Sequence, residues 1–358
     1  MIIVRAPVRI SFGGGGTDLA AYYNQYDGFV VNAAITRYCY VVARPTLDGS
    51  VRISSADYHT WLVSPPAEIP PVQAPLALPA AAVAWFRECG LLTGGIDLFL
   101  ACEVAPGTGL GSSSAMAVAL VRAIAEFCGA ALSSQQVAEV ACTLEIERLG
   151  MPIGKQDQYA SACGGINALT FSRSGVDVEP LTLSEHVMRS LSANLLLFST
   201  GQQRNSADIL SRQQADTERK PATIESLHRL KSLAIQMREA LQVADLDRFG
   251  QLLDRGWQEK KRLAQKISSD AIDRWYEVAR RSGALGGKIT GAGGGGFLLL
   301  YCPADHQQAL RAALAPFGLR ELPFDFDHTG AQVPARQEGD ELLRKGRSSS
   351  ASTLLAGA

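Results

Sequence analysis

This chain is poor in the residues that build metal centres and disulfide frameworks. Its 358 residues include five histidines, with no H-x-x-x-H pair, and seven cysteines (Cys39, Cys89, Cys102, Cys128, Cys142, Cys163 and Cys302), scattered and never in a C-x-x-C pair. A disulfide framework, a zinc site and a Ser-His-Asp triad are therefore not indicated, and most of the cysteines read as small buried apolar residues. There is no basic run and the formal net charge is −1, which argues against nucleic acid or a membrane surface as a partner. No apolar stretch is long enough to span a bilayer, and residues 1–12 carry arginines within an alternating pattern instead of an uninterrupted signal-peptide core. The cytoplasm is the expected location. What the chain does have is apolar surface, with 47% hydrophobic residues. That content buries a sizeable core, and the length is more typical of two packed domains than of one. A small molecule is the expected ligand.

Glycine is concentrated in three places. The first is Pro106-Gly107-Thr108-Gly109-Leu110-Gly111-Ser112-Ser113-Ser114-Ala115, which follows a predicted strand at 96–104 and opens an apolar-faced helix at 113–128. Three glycines remove Cβ atoms so that successive backbone N–H groups can converge on an anion, and the helix adds the positive end of its dipole. A polyphosphate fits such a cradle, although the same turn can serve only to reverse the chain. It has neither the Gly-Lys-Ser/Thr ending of a Walker loop nor a GxGxxG pattern with an acid closing a second strand. The serines can cap the helix, or bind Mg²⁺ or a phosphate oxygen.

The second cluster is Gly13-Gly14-Gly15-Gly16-Thr17-Asp18, where a strand at 8–12 runs into four glycines and then an acid. A floppy hairpin loop carries a heavy ordering cost and needs no acid at its end, whereas an ionised Asp18 is suited to grip a pair of sugar hydroxyls. The third is Lys288-Ile289-Thr290-Gly291-Ala292-Gly293-Gly294-Gly295-Gly296. A tight turn needs only one or two residues at positive φ; a loop this bare implies close packing against a ligand or against another glycine loop. Between the clusters, Glu145 leads through a Gly-x-Pro turn to Gly154-Lys155-Gln156-Asp157-Gln158. Helix-end acids are commonly solvated, but two carboxylates at one cavity can divide labour between Mg²⁺ and a hydroxyl. Lys155, two residues from Asp157, would keep that carboxylate ionised and compensate charge on a transferring phosphoryl group.

Patterning predicts strands at 29–35, 38–44, 51–54 and 166–171, a Pro-rich connection at 65–79, and helices at 80–89 and 134–149. Beyond residue 185 it predicts a strand at 194–199, a charged helical region at 205–281 broken near 217–223, strands at 287–290, 297–301 and 319–326, and a helix at 304–315. Strands and helices interleave without regular βαβ repetition, so the expected class is α+β. Residues 1–185 and 186–333 read as two domains, and 334–358 as a flexible tail.

Together these segments resemble the GHMP small-molecule kinases, from residue 5 to about residue 326, nearly the whole body of the chain. The resemblance implies a two-domain α+β fold with an N-terminal split-βαβ-type ATP-binding domain and a C-terminal ferredoxin-like α/β plait. Within the family, Arg9-Ile10-Ser11-Phe12 with the glycine run, the 154–159 string and Thr200-Gly201-Gln202-Gln203-Arg204-Asn205-Ser206-Ala207 look like the D-glycero-D-manno-heptose 7-phosphate kinases. Galactokinase-like members would be expected to show Gly-Glu-His-Thr-Asp where this chain has Gly14-Gly15-Gly16-Thr17-Asp18. Two glycines there remove a polar wall and leave room for a larger, phosphorylated sugar.

Residue by residue, the resemblance implies that Pro106, Gly107, Gly109, Leu110, Gly111, Ser112, Ser113 and Ser114 hold ATP, and that Ser113 and Glu145 associate with Mg²⁺. Asp157 becomes the base or orienting carboxylate for the anomeric hydroxyl, with Arg9 and Lys155 as its catalytic cations. Gly14, Gly15, Gly16, Thr17, Asp18, Gly291 and Gly293 would face the sugar. Arg204 and Ser206 are candidates for its phosphate, against the alternative of a helix start with an exposed arginine. The implied partners are ATP and a sugar phosphate, and a homodimer is left open. An unphosphorylated-sugar kinase of fucose or galactose type, and a non-catalytic sugar and nucleotide sensor, are the competing readings.

Overall fold

The computed structural model describes residues 1–66, 68–202, 206–264 and 267–336. Its first half runs β1 (Ile2–Gly13), α1 (Ala20–Tyr26), β2 (Gly28–Pro45), β3 (Val51–Ser55), β4 (Thr60–Ser64), α2 (Ala77–Glu88), β5 (Ile96–Cys102), α3 (Ser112–Cys128), α4 (Ser134–Cys142), α5 (Gln156–Cys163), β6 (Ile166–Ser172) and β7 (Gly175–Pro180). The second half runs α6 (Glu185–Asn194), β8 (Leu195–Ser199), α7 (Ser206–Arg219), α8 (Pro221–Gln242), α9 (Leu246–Lys261), α10 (Asp270–Arg281), β9 (Gly286–Ile289), β10 (Phe297–Tyr301), α11 (Gln307–Leu314), β11 (Arg320–Glu321) and β12 (Gln332–Arg336).

The first sheet has the order β12-β1-β2-β5-β3-β4, with β6 also paired to β2 and β7 to β6. This is possible because β2 is 18 residues long. Its first part pairs with β6 and its last part with β5, while β1 runs along its other edge. The two strands expected at 29–35 and 38–44 are thus one, kinked where the register with β1 slips between Pro7 and Val8. An irregularity of this kind re-aims side chains without ending a strand. Beyond it, Val8, Ile10 and Phe12 join the apolar core, and the alternate residues Arg9 and Ser11 line cavities on the other side.

The second sheet is antiparallel throughout, in the order β11-β8-β10-β9. The α8–α9 hairpin lies between the two sheets and touches β1, β2 and β9. Phe12 meets Phe249 edge-on at 5.2 Å between ring centroids, in a core to which both halves contribute. Burying a side chain of this kind stabilises by about 1.5–3 kcal/mol, so the two sheets hold one another in place. The α+β two-domain expectation holds, but the halves share this core, and β12 returns from the second half to pair with β1.

Several elements differ from the sequence expectation. The helix expected at 134–149 is α-helical only to Cys142 and continues as a π-helix over Thr143–Arg148, which the spacing of apolar residues does not distinguish. The strands β4 and β7 and the helices α1, α5 and α6 were not anticipated. The last strand of the second sheet is confined to Arg320–Glu321, and Phe326 makes an isolated bridge to Ile35 instead. Residues 334–336, expected to begin the tail, belong to β12; the rest of that expected tail lies outside the described residues.

Candidate active site

The 106–115 loop leaves β5 and enters α3 through Gly107, Gly109 and Gly111, at φ +78°, +82° and +74°. These are left-handed positions that suit glycine. The small residues of α3 let it pack closely on β1 and β2, which aims its first N–H groups at the loop. Pro106, Gly107, Gly109, Gly111, Ser112, Ser113 and Ser114 line a cleft of about 500 Å³, together with Asp57, Tyr58 and Leu76. Leu110 is the exception among the expected residues: its side chain is buried in the core, and its carbonyl accepts the Arg9 backbone N–H at 2.9 Å.

The two glycine loops meet each other. A Cβ on Gly109 would lie 2.5 Å from the Thr290 carbonyl oxygen, and Thr290 Oγ1 donates to the Thr108 carbonyl at 3.3 Å. Gly291 lines the cleft. Gly293, expected to face the sugar, lines neither the cleft nor the smaller cavity beside it and packs on Ile267, whose Cγ2 would be 2.6 Å from an added Cβ.

A smaller cavity, about 70 Å³, adjoins the cleft and is lined by Ser11, Gly15, Gly16, Asp18, Gly154, Gln156, Gln213 and Lys260 among others. Arg9, Ile153, Asp157, Leu210, Gly291 and Ala292 line both spaces. Asp157 sits in the first turn of α5. Arg9 Nε donates to its Oδ1 at 2.6 Å, and Arg9 Nη2 donates to its Oδ2. The third arm, Arg9 Nη1, reaches the Gly109 carbonyl at 2.7 Å. This planar two-point grip fixes both partners. Lys155, expected beside Asp157, instead holds its ammonium 5.6 Å from the Tyr23 ring centroid and lines neither space. The cation next to Asp157 is thus supplied through space by β1 and not by the neighbouring sequence.

Asp18 accepts the Gly16 N–H at 2.8 Å and Gln156 Nε2 at 3.0 Å. Burial, and next the charge of Asp157, push its carboxyl above the usual range. Thr17 and Gly14 do not line the cavity. Thr17 Oγ1 ties the Gly14 carbonyl (2.8 Å) to the Phe29 backbone, so these residues shape the turn that presents Asp18. Behind it, buried Lys288 donates to the Ser11 and Phe12 carbonyls at 2.8 and 3.2 Å. Burial and Arg9 depress its ammonium to about 7, against a smaller opposing effect of Asp18.

Glu145 is fully buried in the π-helical segment. It accepts Ser113 Oγ at 2.6 Å and Gln158 Nε2 at 2.7 Å. Burial pushes it up to about 7 against hydrogen bonds from Ser113, Ser114 and Gln158. A buried carboxylate touching a hydroxyl at the head of a phosphate-type loop is a donor set that fits Mg²⁺, which takes one or two protein oxygens and completes its shell with phosphates and water. Among the described residues there is no cluster of three or more His, Cys, Asp or Glu that could hold a metal on their own. No described helix is long and apolar enough to cross a membrane.

Arg204 lies outside the described residues, as does the Ser206 side chain, though Ser206 does begin α7. Gly154, Gln156, Gln213 and Lys260 were not assigned from the sequence. The first two sat inside a string already singled out; the other two carry no local signal, being polar residues on helices.

The family model described as GHMP kinases N terminal domain matches residues 77–165, and that described as GHMP kinases C terminal matches 237–318. The chain is 31% identical over 318 residues to a D-glycero-alpha-D-manno-heptose 7-phosphate kinase of Campylobacter jejuni, covering 87% of this chain and 93% of that protein. Among solved structures, a D-glycero-D-manno-heptose 1-phosphate kinase of Bacteroides thetaiotaomicron superposes with a TM-score of 0.80 at 26% identity, covering 94% of this chain and all of that one (100%). A putative sugar kinase of Campylobacter jejuni gives 0.76 at 29%, covering 92% and 97%. With both glycine loops, the Arg9–Asp157 pair and the Ser113–Glu145 pair in one place, the chain belongs to the GHMP kinases and is a phosphotransferase acting on a sugar hydroxyl.

Proposed function

We propose that this enzyme transfers the γ-phosphoryl group of ATP to the anomeric C1 hydroxyl of D-glycero-D-manno-heptose 7-phosphate, giving the 1,7-bisphosphate for nucleotide-activated heptose synthesis and surface polysaccharide. The observation that carries it is the position of Asp157 on the wall shared by the large cleft and the small cavity. A nucleotide in one and a sugar in the other would meet there. Phosphoryl transfer asks little covalent chemistry of the protein and much positioning and charge compensation.

In this reading Asp157 orients the attacking hydroxyl and receives its proton, and Arg9 fixes that carboxylate while presenting positive charge at the point of transfer. Asp18 grips neighbouring hydroxyls with the acceptor capacity left after its bonds to Gly16 and Gln156. The backbone N–H groups of 107–114 cradle the phosphates, and Ser113 and Glu145 would hold Mg²⁺. That ion, when bound, neutralises charge on the phosphoryl oxygens. The heptose acceptor is supported by the Campylobacter relative, and the glycines at 15 and 16 favour it over galactose. The Bacteroides neighbour is named for a heptose 1-phosphate, so the position of the acceptor's own phosphate is the point to test.

A coupled ADP-release assay over heptose 7-phosphate, heptose 1-phosphate, fucose, galactose and mevalonate, with ³¹P NMR of the product, decides it. Preferred turnover of heptose 7-phosphate and a new anomeric phosphate are expected; activity confined to an unphosphorylated sugar rejects the proposal.

A further inference from the structure

We propose that Lys260 and Gln213 read the phosphate of the acceptor sugar and so set the preference for a phosphorylated substrate, an inference that rests on the heptose-phosphate reading above. Both side chains come from the second half of the chain, Gln213 from α7 and Lys260 from α9. Both line the small cavity, and neither lines the nucleotide cleft, which assigns them to the acceptor and not to ATP.

The cavity holds a second cation, Arg9, whose guanidinium donates to Asp157 and to the Gly109 carbonyl. Asp18, the other acid there, is already bonded to Gly16 and Gln156. Lys260 is buried, at 7% exposure for the residue as a whole, and its ammonium is anchored at the cavity by donating to the Gly291 carbonyl. An ammonium held out of water loses hydration that a neutral sugar hydroxyl returns poorly and a phosphate dianion returns well, through charge-assisted hydrogen bonds.

Gln213 supplies an independent observation. Its side chain is 3% exposed, and its Nε2 is buried without a hydrogen-bond partner among the described residues. It occupies the space over Gly16, where any Cβ would overlap it. A buried amide donor left unpaired is destabilising, so its retention at this wall fits an oxygen-rich ligand. The bare glycine turn is thus what admits the amide, and the amide and the ammonium together form a two-donor seat for a phosphate.

The test compares kcat/KM for heptose 7-phosphate and for unphosphorylated heptose in the wild type, Lys260→Met, Lys260→Arg and Gln213→Leu, with KM for ATP measured in each. Lys260→Met is expected to lose about 100-fold on the phosphorylated sugar and Gln213→Leu about tenfold, the scale of one charged and one neutral hydrogen bond. Both should change less than about threefold on unphosphorylated heptose, within the noise of a surface substitution. Lys260→Arg should restore most of the discrimination, and KM for ATP should not move in Gln213→Leu. Equal losses on both sugars, or a change confined to ATP, overturn the inference. If Lys260→Met does not fold, Gln213→Leu carries the same comparison. A wild type that turns over heptose 7-phosphate while the variants keep its preference defeats this inference alone; a wild type that ignores the phosphorylated sugar defeats the parent reading.

Discussion

Gly109 and Gly291 are in backbone contact: a Cβ on Gly291 would stand 2.6 Å from the Gly109 Cα. The phosphate loop is therefore shaped from both sides, by the helix it enters and by a loop from the second sheet. Gly291 is also at φ +67°, where a side chain adds strain of order 1–2 kcal/mol. Gly291→Ala is expected to raise KM for ATP about tenfold or more, since a shift of 1 Å at a reacting site can cost that much and beyond. The control is Gly90→Ala, also at positive φ but with open space around an added Cβ: it should lose stability by thermal melting and leave KM for ATP unchanged.

The through-space pairing of Arg9 with Asp157 predicts an order among three variants. Asp157→Ala should reduce kcat by about 10²–10⁴-fold, the range for loss of a general base, while a fluorescent ATP analogue still binds. Arg9→Met should be nearly as damaging, because it leaves a half-buried carboxylate unpaired. Lys155→Met should stay within about threefold of wild-type kcat, as expected of a substitution away from the site. Near-normal turnover in Asp157→Ala removes that residue from the mechanism, and a Lys155→Met defect as deep as that of Arg9→Met returns lysine to it.

These assignments show which parts of the site could be read in advance. The glycine loops were legible because backbone approach leaves a composition that little else requires, and Asp18, Glu145 and Asp157 were legible because each stands beside such a loop. The sequence offers both Arg9 and Lys155 as cations for Asp157, and only the fold, which brings β1 to that carboxylate and turns Lys155 toward Tyr23, separates them. Lys260 and Gln213 were invisible, since a lysine in Gln258-Glu259-Lys260-Lys261 looks like a solvated helix face until the tertiary packing buries it. The same limit applies to the fold: a π-turn at Thr143–Arg148 and a bend within β2 leave the apolar spacing almost unchanged, whereas the shared core around Phe12 and Phe249 depends on contacts more than 200 residues apart in the chain.

Lys288 predicts how stability depends on pH. Its folded-state value is about 7, depressed from 10.5 by burial first and Arg9 second. Between these values the unfolded chain holds a proton that the folded protein has released, so this residue makes stability rise with pH across that window. The limiting slope is about 1.4 kcal/mol per pH unit for one proton. Thermal melts of wild type and Lys288→Met from pH 6 to pH 10 should therefore diverge, the wild type gaining relative to the variant as pH rises above 7. A constant difference over the range would mean that the buried amine does not titrate there.

Gly154 predicts a loss confined to the sugar side. A Cβ at this position would overlap the Asp18 carboxylate, and Lys155 N, the next backbone group, donates to the Asp18 carbonyl at 3.3 Å. The turn before α5 thus fits against the acid that the N-terminal glycine run presents, and an added methyl must push the carboxylate off its bonds to Gly16 and Gln156. Each such bond to a charged group is worth about 1.5–3 kcal/mol. Gly154→Ala should raise KM for the sugar about tenfold or more by that measure and lower the melting temperature, with KM for ATP close to wild type, because Gly154 lines only the smaller cavity. If KM for ATP rises in parallel, the two spaces are not separable in the way their linings indicate, and Asp18 acts on the whole cleft instead of on the acceptor alone.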